Sequence, residues 1–325
     1  MATDDAVQFL HDHGLCDGGV PRVRSLTGGI SSDVFLVRCG GDAVVVKRAL
    51  ERFRVPQLWR VSTARLAIEF AFAHLLADRL RPTAVATPLA FDAAKGLLAL
   101  RYVPPPFQDW KRRLLSGTVE PAVADAAGRL LARIHRLGLS EPGLRKTFEQ
   151  PGLFEEQRIE PYFLATAKRQ PSAADGLTEL AIRLRDTRTT LIHGDFSPKN
   201  ILTDGRRVTL IDHEVATWGD PRFDVAFLLN HLLLKSLHRP ARRAQLIALC
   251  RTFLAAYARA RGPAPADPWT GRVVGALMLA RVDGKSPVEY LSERQVVRAH
   301  ENGLDLLLGP PRDVNALLAD WPPAA

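Results

Sequence analysis

The chain has 325 residues, 46% hydrophobic and 24% charged, with a net charge of +9. Those are ordinary globular values, with enough chain for one large domain or two joined lobes. They exclude a low-complexity or disordered polymer, and no stretch reaches the roughly 18 apolar residues of a membrane span. The longest candidate, residues 225–234, is interrupted by Asn230 and His231. Of 44 basic side chains only eight are Lys; the Arg residues are scattered, without interleaved aromatic stacking positions. This argues against nucleic acid as a partner and leaves an anionic nucleotide ligand as the simpler match for a basic surface. Asp4 and Asp5 stand where a leader would be basic. Cys16, Cys39 and Cys250 are odd in number and show no metal-type or redox spacing. A reduced, cytoplasmic setting without a membrane partner is the expectation.

Residues 20–46 read as strands. A short run begins at Val23, Gly28-Gly29 breaks it, Val34-Phe35-Leu36-Val37 resumes it, Gly40-Gly41-Asp42 turns, and residues 43–47 return. Residues 63–80 carry Leu66, Phe70, Ala73, Ala77 and Leu80 at helical spacing. Two further strands are expected at 86–91 and 97–103, closed by Pro104-Pro105-Pro106, which cannot continue a sheet and mark a lobe boundary. Helices dominate from Glu120, at 122–137, 159–169, 176–187, 223–237 and 241–261, with a hairpin over 200–212 as the exception. The fold class that follows is α+β in two lobes: a small, mostly antiparallel β lobe over residues 1–103 and a larger, mainly helical lobe over residues 104–325. Nucleotide sites often lie between such halves.

The chemistry concentrates in His193-Gly194-Asp195-Phe196-Ser197-Pro198-Lys199-Asn200, followed by Ile211-Asp212-His213-Glu214. Phosphoryl transfer needs a carboxylate to orient the acceptor and oxygen ligands for the magnesium that bridges the phosphates. Ile201 and Leu202 read as one strand, Asp204-Gly205 as a turn and residues 208–211 as the returning strand. That pairing would bring Asn200 beside Asp212 as two metal ligands. Asp195, on the loop feeding the hairpin, is placed to orient a hydroxyl and take its proton. His193 is expected to prop the loop rather than act as a base.

This constellation, with the later Gly219-Asp220-Pro221-Arg222-Phe223-Asp224-Val225-Ala226, resembles the aminoglycoside phosphotransferase and choline kinase-like family, a branch of the protein-kinase-like fold. His-x-Asp, four residues, Asn and a distal Ile-Asp-x-Glu match in order and spacing, and the resemblance runs from about residue 20 to 290. It implies that Asp195 is the catalytic aspartate, that Asn200 and Asp212 hold magnesium, that Asp224 braces the catalytic loop, and that Glu214 supports a second metal. ATP or GTP with Mg2+ is the implied cofactor set, and a hydroxylated small molecule is the acceptor.

Weaker features agree. Thr27-Gly28-Gly29-Ile30-Ser31-Ser32 resembles the family's phosphate-covering loop, with Gly28 and Gly29 for the turn and Ser31 and Ser32 for phosphate oxygens. It lacks the Gly-Lys-Ser/Thr ending of a P-loop. Lys47 closes a Val-Val-Val strand and would balance the α- and β-phosphates, held by Glu69 from the next helix, with Glu51 as competitor. Residues 98–103 resemble an interlobe hinge, where backbone groups of Arg101 and Val103 would meet the adenine edge. The short step from Asp212 to Asp224, without an Ala-Pro-Glu segment, leaves no room for a protein kinase's activation loop and peptide shelf.

Two polar stretches of the helical lobe are expected to border the acceptor: residues 158–162, with Arg158 and Tyr162, and residues 281–290, with Lys285 and Glu289. From Asp220 onward, 14 Lys or Arg face 10 Asp or Glu, a poor match for a polycationic aminoglycoside. A neutral or acidic hydroxyl compound fits better. The expected role is antibiotic inactivation, with a metabolic kinase of methylthioribose, homoserine or choline type as the alternative; a nucleotide-binding pseudoenzyme is disfavoured because Asp195, Asn200 and Asp212 are all present.

Overall fold

Val-rich runs separated by Gly turns build the N-terminal part of the protein. The structure, a computed structural model, describes residues 2–26, 31–55, 59–262, 267 and 269–321. The chain falls into two units, Met1–Pro105 with Thr209–Val215, and Pro106–Val208 with Ala216–Ala325. Sequence placed residues 209–215 with the helical lobe; here they group with the first unit, where Val85 bridges Leu210 and Thr209 Oγ1 donates to Thr83 O at 2.9 Å.

In the first unit, helix α1 (Ala2–Asp12) precedes strands β1 (Arg22–Ser25), β2 (Ser32–Cys39) and β3 (Asp42–Ala49), then helix α2 (Arg65–Arg79) and strands β4 (Pro88–Asp92) and β5 (Leu97–Arg101). The five strands form an antiparallel sheet in the order β1-β2-β3-β5-β4. Side chains alternate across a strand, so β3 feeds two cores. Val44 and Val46 pack with Phe35, Val37, Phe9 and Leu10 of α1, whereas Val45 packs with Leu66, Leu98 and Leu100. Lys47 has the parity of Val45 and therefore leaves the sheet on the side of α2. Cys16 and Cys39 form a disulfide. This corrects the unpaired reading of the cysteines: the register of β2 and the docking of α1 bring them together across 23 residues, which spacing alone does not show.

The second unit contains β6 (Gln108–Asp109), α3 (Trp110–Leu115), α4 (Pro121–Ser140), α5 (Arg145–Phe148), α6 (Pro151–Phe154), α7 (Ala165–Arg169), α8 (Ala174–Asp186), β7 (Thr190–Ile192) and β8 (Ile201–Thr203). Strand β9 (Val208–Leu210) starts here and ends in the first unit. There follow β10 (Thr217–Gly219), α9 (Pro221–His238), α10 (Arg243–Arg261), α11 (Trp269–Ala280), α12 (Glu293–Leu308) and α13 (Val314–Ala319). The helix expected over 159–169 is instead a π-helix at Glu155–Leu164 running into α7. Pro161 sits inside it and has no N–H to give, which favours the wider turn. Helix α9 is buried from Phe223 to Leu237, so its apolar run is core. Among the described residues, no helix is long and apolar enough to cross a membrane.

Candidate active site

In the first unit a charged cluster forms under the sheet. Lys47 Nζ lies 2.6 Å from Glu69 Oε2 and 2.8 Å from Asp212 Oδ1. Glu69 sits on α2 one turn after Arg65, whose Nε donates to Glu214 Oε2 at 3.0 Å. The Arg65 guanidinium is wholly buried; its Nη2 donates to the carbonyls of Ser31 at 2.6 Å and Leu50 at 2.8 Å. Arg65 thereby ties α2 to the residue that follows the glycine loop. The carboxylates of Glu69, Asp212 and Glu214 lie within 4.8 Å of one another.

The electrostatics follow from this crowding. Burial opposes the charge on Lys47, but Asp212, Glu69 and Glu214 outweigh it and hold the ammonium above its ordinary value. Burial pushes the Glu69 carboxyl up to about 7 against the pull of Lys47, with Asp212 and Glu214 raising it further. Asp212 has φ 63°, alone in positive φ among the described non-glycine residues, a costly conformation typical of ligand-holding positions. Three carboxylates, one of them with a buried unpartnered oxygen at Glu69 Oε1, suit a hard cation such as magnesium.

The second unit carries the loop with Asp195. Asp224, fully buried in the first turns of α9, accepts from the His193 amide at 2.7 Å through Oδ2 and from the Gly194 amide at 2.8 Å through Oδ1. His135 of α4 approaches the same Oδ2 at 3.2 Å, and Tyr257 Oη is 2.7 Å from its other ring nitrogen. Burial lowers His135 below its ordinary value, against the opposing influence of Asp224. Gly194 has φ 74°, a left-handed conformation that glycine adopts without strain. The Asp195 amide donates to His193 Nδ1 at 3.1 Å, and Asn200 Nδ2 donates to the Asp195 carbonyl at 3.0 Å. Asp195 itself is 6% exposed, with Oδ2 3.2 Å from both Arg158 Nη2 and Lys199 Nζ.

Most residues singled out in the sequence have a definite place among the described residues. Lys47, Glu69, Asp212 and Glu214 converge in the first unit; Asp195, His193, Asn200, Asp224 and Arg158 converge in the second. Glu51, the competitor for Lys47, is exposed. Ser32 is buried with its hydroxyl unpartnered, and Ser31 uses its carbonyl for Arg65. Gly28 and Gly29 lie outside the described residues. The Arg101 amide is engaged by Thr87 O at 2.8 Å. Val103 is half-buried beside Leu98 and Leu100. Tyr162 stacks against Arg158, Lys285 pairs with Glu160 at 2.7 Å, and Glu289 pairs with Lys111. Arg65 and Lys199 escaped the sequence reading. Arg65 stands one helical turn before Glu69 on α2 and Lys199 four residues after Asp195 in the loop, and that spacing was the available signal.

The model described as the phosphotransferase enzyme family matches residues 22–266. Curated relatives include methylthioribose kinase 2 of Oryza sativa subsp. japonica, 23% identical over 240 residues that cover 65% of this chain and 56% of that one. Methylthioribose kinase of Bacillus cereus (strain G9842) is 24% identical over 269 residues, covering 74% and 68%. The chain thus spans little more than half the length of the rice kinase. Among solved structures, amicoumacin kinase in complex with AMP-PNP, Ca2+ and Ami superposes with TM-score 0.59 at 15% identity, covering 95% of this chain and 96% of that one. A choline/ethanolamine kinase family protein from Mesorhizobium loti gives 0.53 at 18% identity, covering 98% and 92%. The fold is α+β and protein-kinase-like.

Proposed function

Because the chain belongs to the phosphotransferase enzyme family, we propose that it is a small-molecule kinase moving the γ-phosphate of ATP or GTP onto a hydroxyl. The observation that carries the reading is Asp195: a buried carboxylate whose loop amides are clamped by Asp224 and whose Oδ2 is steadied by Arg158 and Lys199. In this mechanism the acceptor hydroxyl donates to Asp195 and its oxygen attacks the γ-phosphorus. The bond from that phosphorus to the bridging oxygen breaks, the nucleoside diphosphate leaves, and the proton passes to Asp195 late in the step. Lys47, oriented by Glu69, balances charge on the α- and β-phosphates. Asp212 and Asn200 would hold magnesium with Glu214 in support, and the metal, when bound, neutralises charge developing on the phosphates. Arg65 fixes the end of the glycine loop through Ser31.

The preferred role is inactivation of a hydroxylated antibiotic, in resistance or self-protection. The superposition on an amicoumacin kinase supports it. A metabolic kinase is the second reading, favoured by the methylthioribose kinases among the relatives. A magnesium-dependent transfer screen with ATP and GTP, across hydroxylated antibiotics and metabolic alcohols, tests both. Asp195→Asn should lower kcat by roughly 10²-fold or more while nucleotide binding persists. Absence of nucleotide binding in the native protein, or full turnover by the variant, would remove the kinase reading.

A further inference from the structure

Helix α9 carries charge that the phosphate chemistry does not use. Phe227, His231 and Lys235 share one stripe of this helix, four residues apart. Lys235 is wholly buried; its ammonium donates to the His231 carbonyl at 3.3 Å and lies 5.2 Å from the centre of the Tyr290 ring. Arg281, at the end of α11, donates to Ser286 Oγ at 2.7 Å, and its Nη1 is 3.5 Å from Tyr162 Oη. Its Nε is buried without a partner, as are Tyr290 Oη and both amide atoms of Asn230 on α9. Lys111 pairs with Glu289. Among the described residues, neither Lys235 nor Arg281 has a carboxylate partner.

The cluster is continuous with Asp195. Arg158, which holds Asp195 Oδ2, lies over the rings of Tyr162 and Phe227 at 5.4 and 5.5 Å. Tyr162 reaches Arg281, and Phe227 meets His231 with ring centroids 5.2 Å apart. A guanidinium does not shed its proton, and buried cations without counter-charges are costly. The local field is positive. Burial, then Lys111 and Arg281, holds Lys235 down to about 7, with Glu289 and Asp109 opposing. Burial, then Lys235, Arg281, Lys199 and Lys111, holds His231 well below its ordinary value. A cationic acceptor would add to this charge and a neutral one would leave it unanswered. An anion would offset it.

We propose that the acceptor alcohol carries an anionic group, a carboxylate or a phosphate, and that Arg281 and Lys235 select for it. The inference rests on the kinase reading for the word acceptor, but the anion preference is measurable without turnover. Calorimetric binding would use the full chain saturated with AMP-PNP and magnesium. The probes are hydroxy acids of increasing length from glycolate to 6-hydroxyhexanoate, each beside its neutral amide, ribose 5-phosphate beside ribose, and choline. At least one anion should bind roughly 10-fold or more tightly than its neutral counterpart. Arg281→Gln and Lys235→Met should each reduce that ratio several-fold; two variants guard against one failing to fold. The hydroxy-acid and sugar-phosphate arms distinguish carboxylate from phosphate. No anion outbinding its counterpart, choline binding best, or a ratio unchanged in both variants would overturn the proposal. Anion binding without phosphate transfer in the matching ATP assay would instead count against the kinase reading and leave this inference standing.

Discussion

Lys47 shows how a single side chain is committed by its surroundings. Strand parity aims it toward α2, and two carboxylates at 2.6 and 2.8 Å keep it charged although it is buried. Lys235 is the opposite case: equally buried, without a carboxylate, and held down to about 7 from an ordinary 10.5. The unfolded chain therefore binds a proton between pH 7 and 10 that the folded chain does not, and folding stability rises with pH through that window. The slope is at most about 1.4 kcal/mol per pH unit from this group. Urea unfolding at pH 7, 8 and 9 should show a flatter profile for Lys235→Met than for the native protein. Equal slopes would mean that Lys235 keeps an ordinary affinity for its proton.

Helix α4 and strand β7 illustrate the element scale. Intrinsic propensity says that Ala improves a helix over Gly by roughly 0.5–1 kcal/mol. At Gly138 the packing reverses that sign. A Cβ there would stand 2.3 Å from the Leu191 amide nitrogen and 2.3 Å from Thr190 Oγ1, and Thr190 is itself bonded to the His135 carbonyl at 2.6 Å. Backbone cannot retreat as a flexible side chain does. Gly138→Ala should destabilise by about 1–3 kcal/mol in chemical denaturation, and a gain in stability would refute the close approach. The same contact couples α4 to the loop that carries Asp195, because β7 leads into His193 and His135 touches Asp224. The variant should therefore also lower transfer activity in whatever assay detects it.

For the whole molecule, two units carry complementary parts of the proposed machinery, and a ligand that binds only the folded state stabilises it by mass action. ATP with magnesium at about 100 times its Kd should add roughly 2.7 kcal/mol, read as a rise in Tm. In Asp212→Asn the magnesium-dependent part of that rise should vanish while a smaller nucleotide effect remains. An undiminished rise would remove Asp212 from the metal site.

By itself the sequence determined a good deal of this protein. Valine runs broken by glycine turns specify the sheet, helical periodicity specifies α2, α4 and α9, and the motif from His193 to Asn200 with Ile211 to Glu214 is the source of the proposed phosphoryl-transfer chemistry. These are local signals, written within about 20 residues. Only the tertiary structure decided what depends on distant segments meeting. It joined Cys16 to Cys39, brought Arg65 to Glu214 and Ser31, chose Glu69 over Glu51 for Lys47, and placed Arg281 with Tyr162 and Tyr290 with Lys235. It also turned the helix around Pro161 into a π-helix and occupied the Arg101 amide. Composition and periodicity carry no register between such segments; docking of α1 and α2 on the sheet, and of α9 and α11 on each other, supplies it.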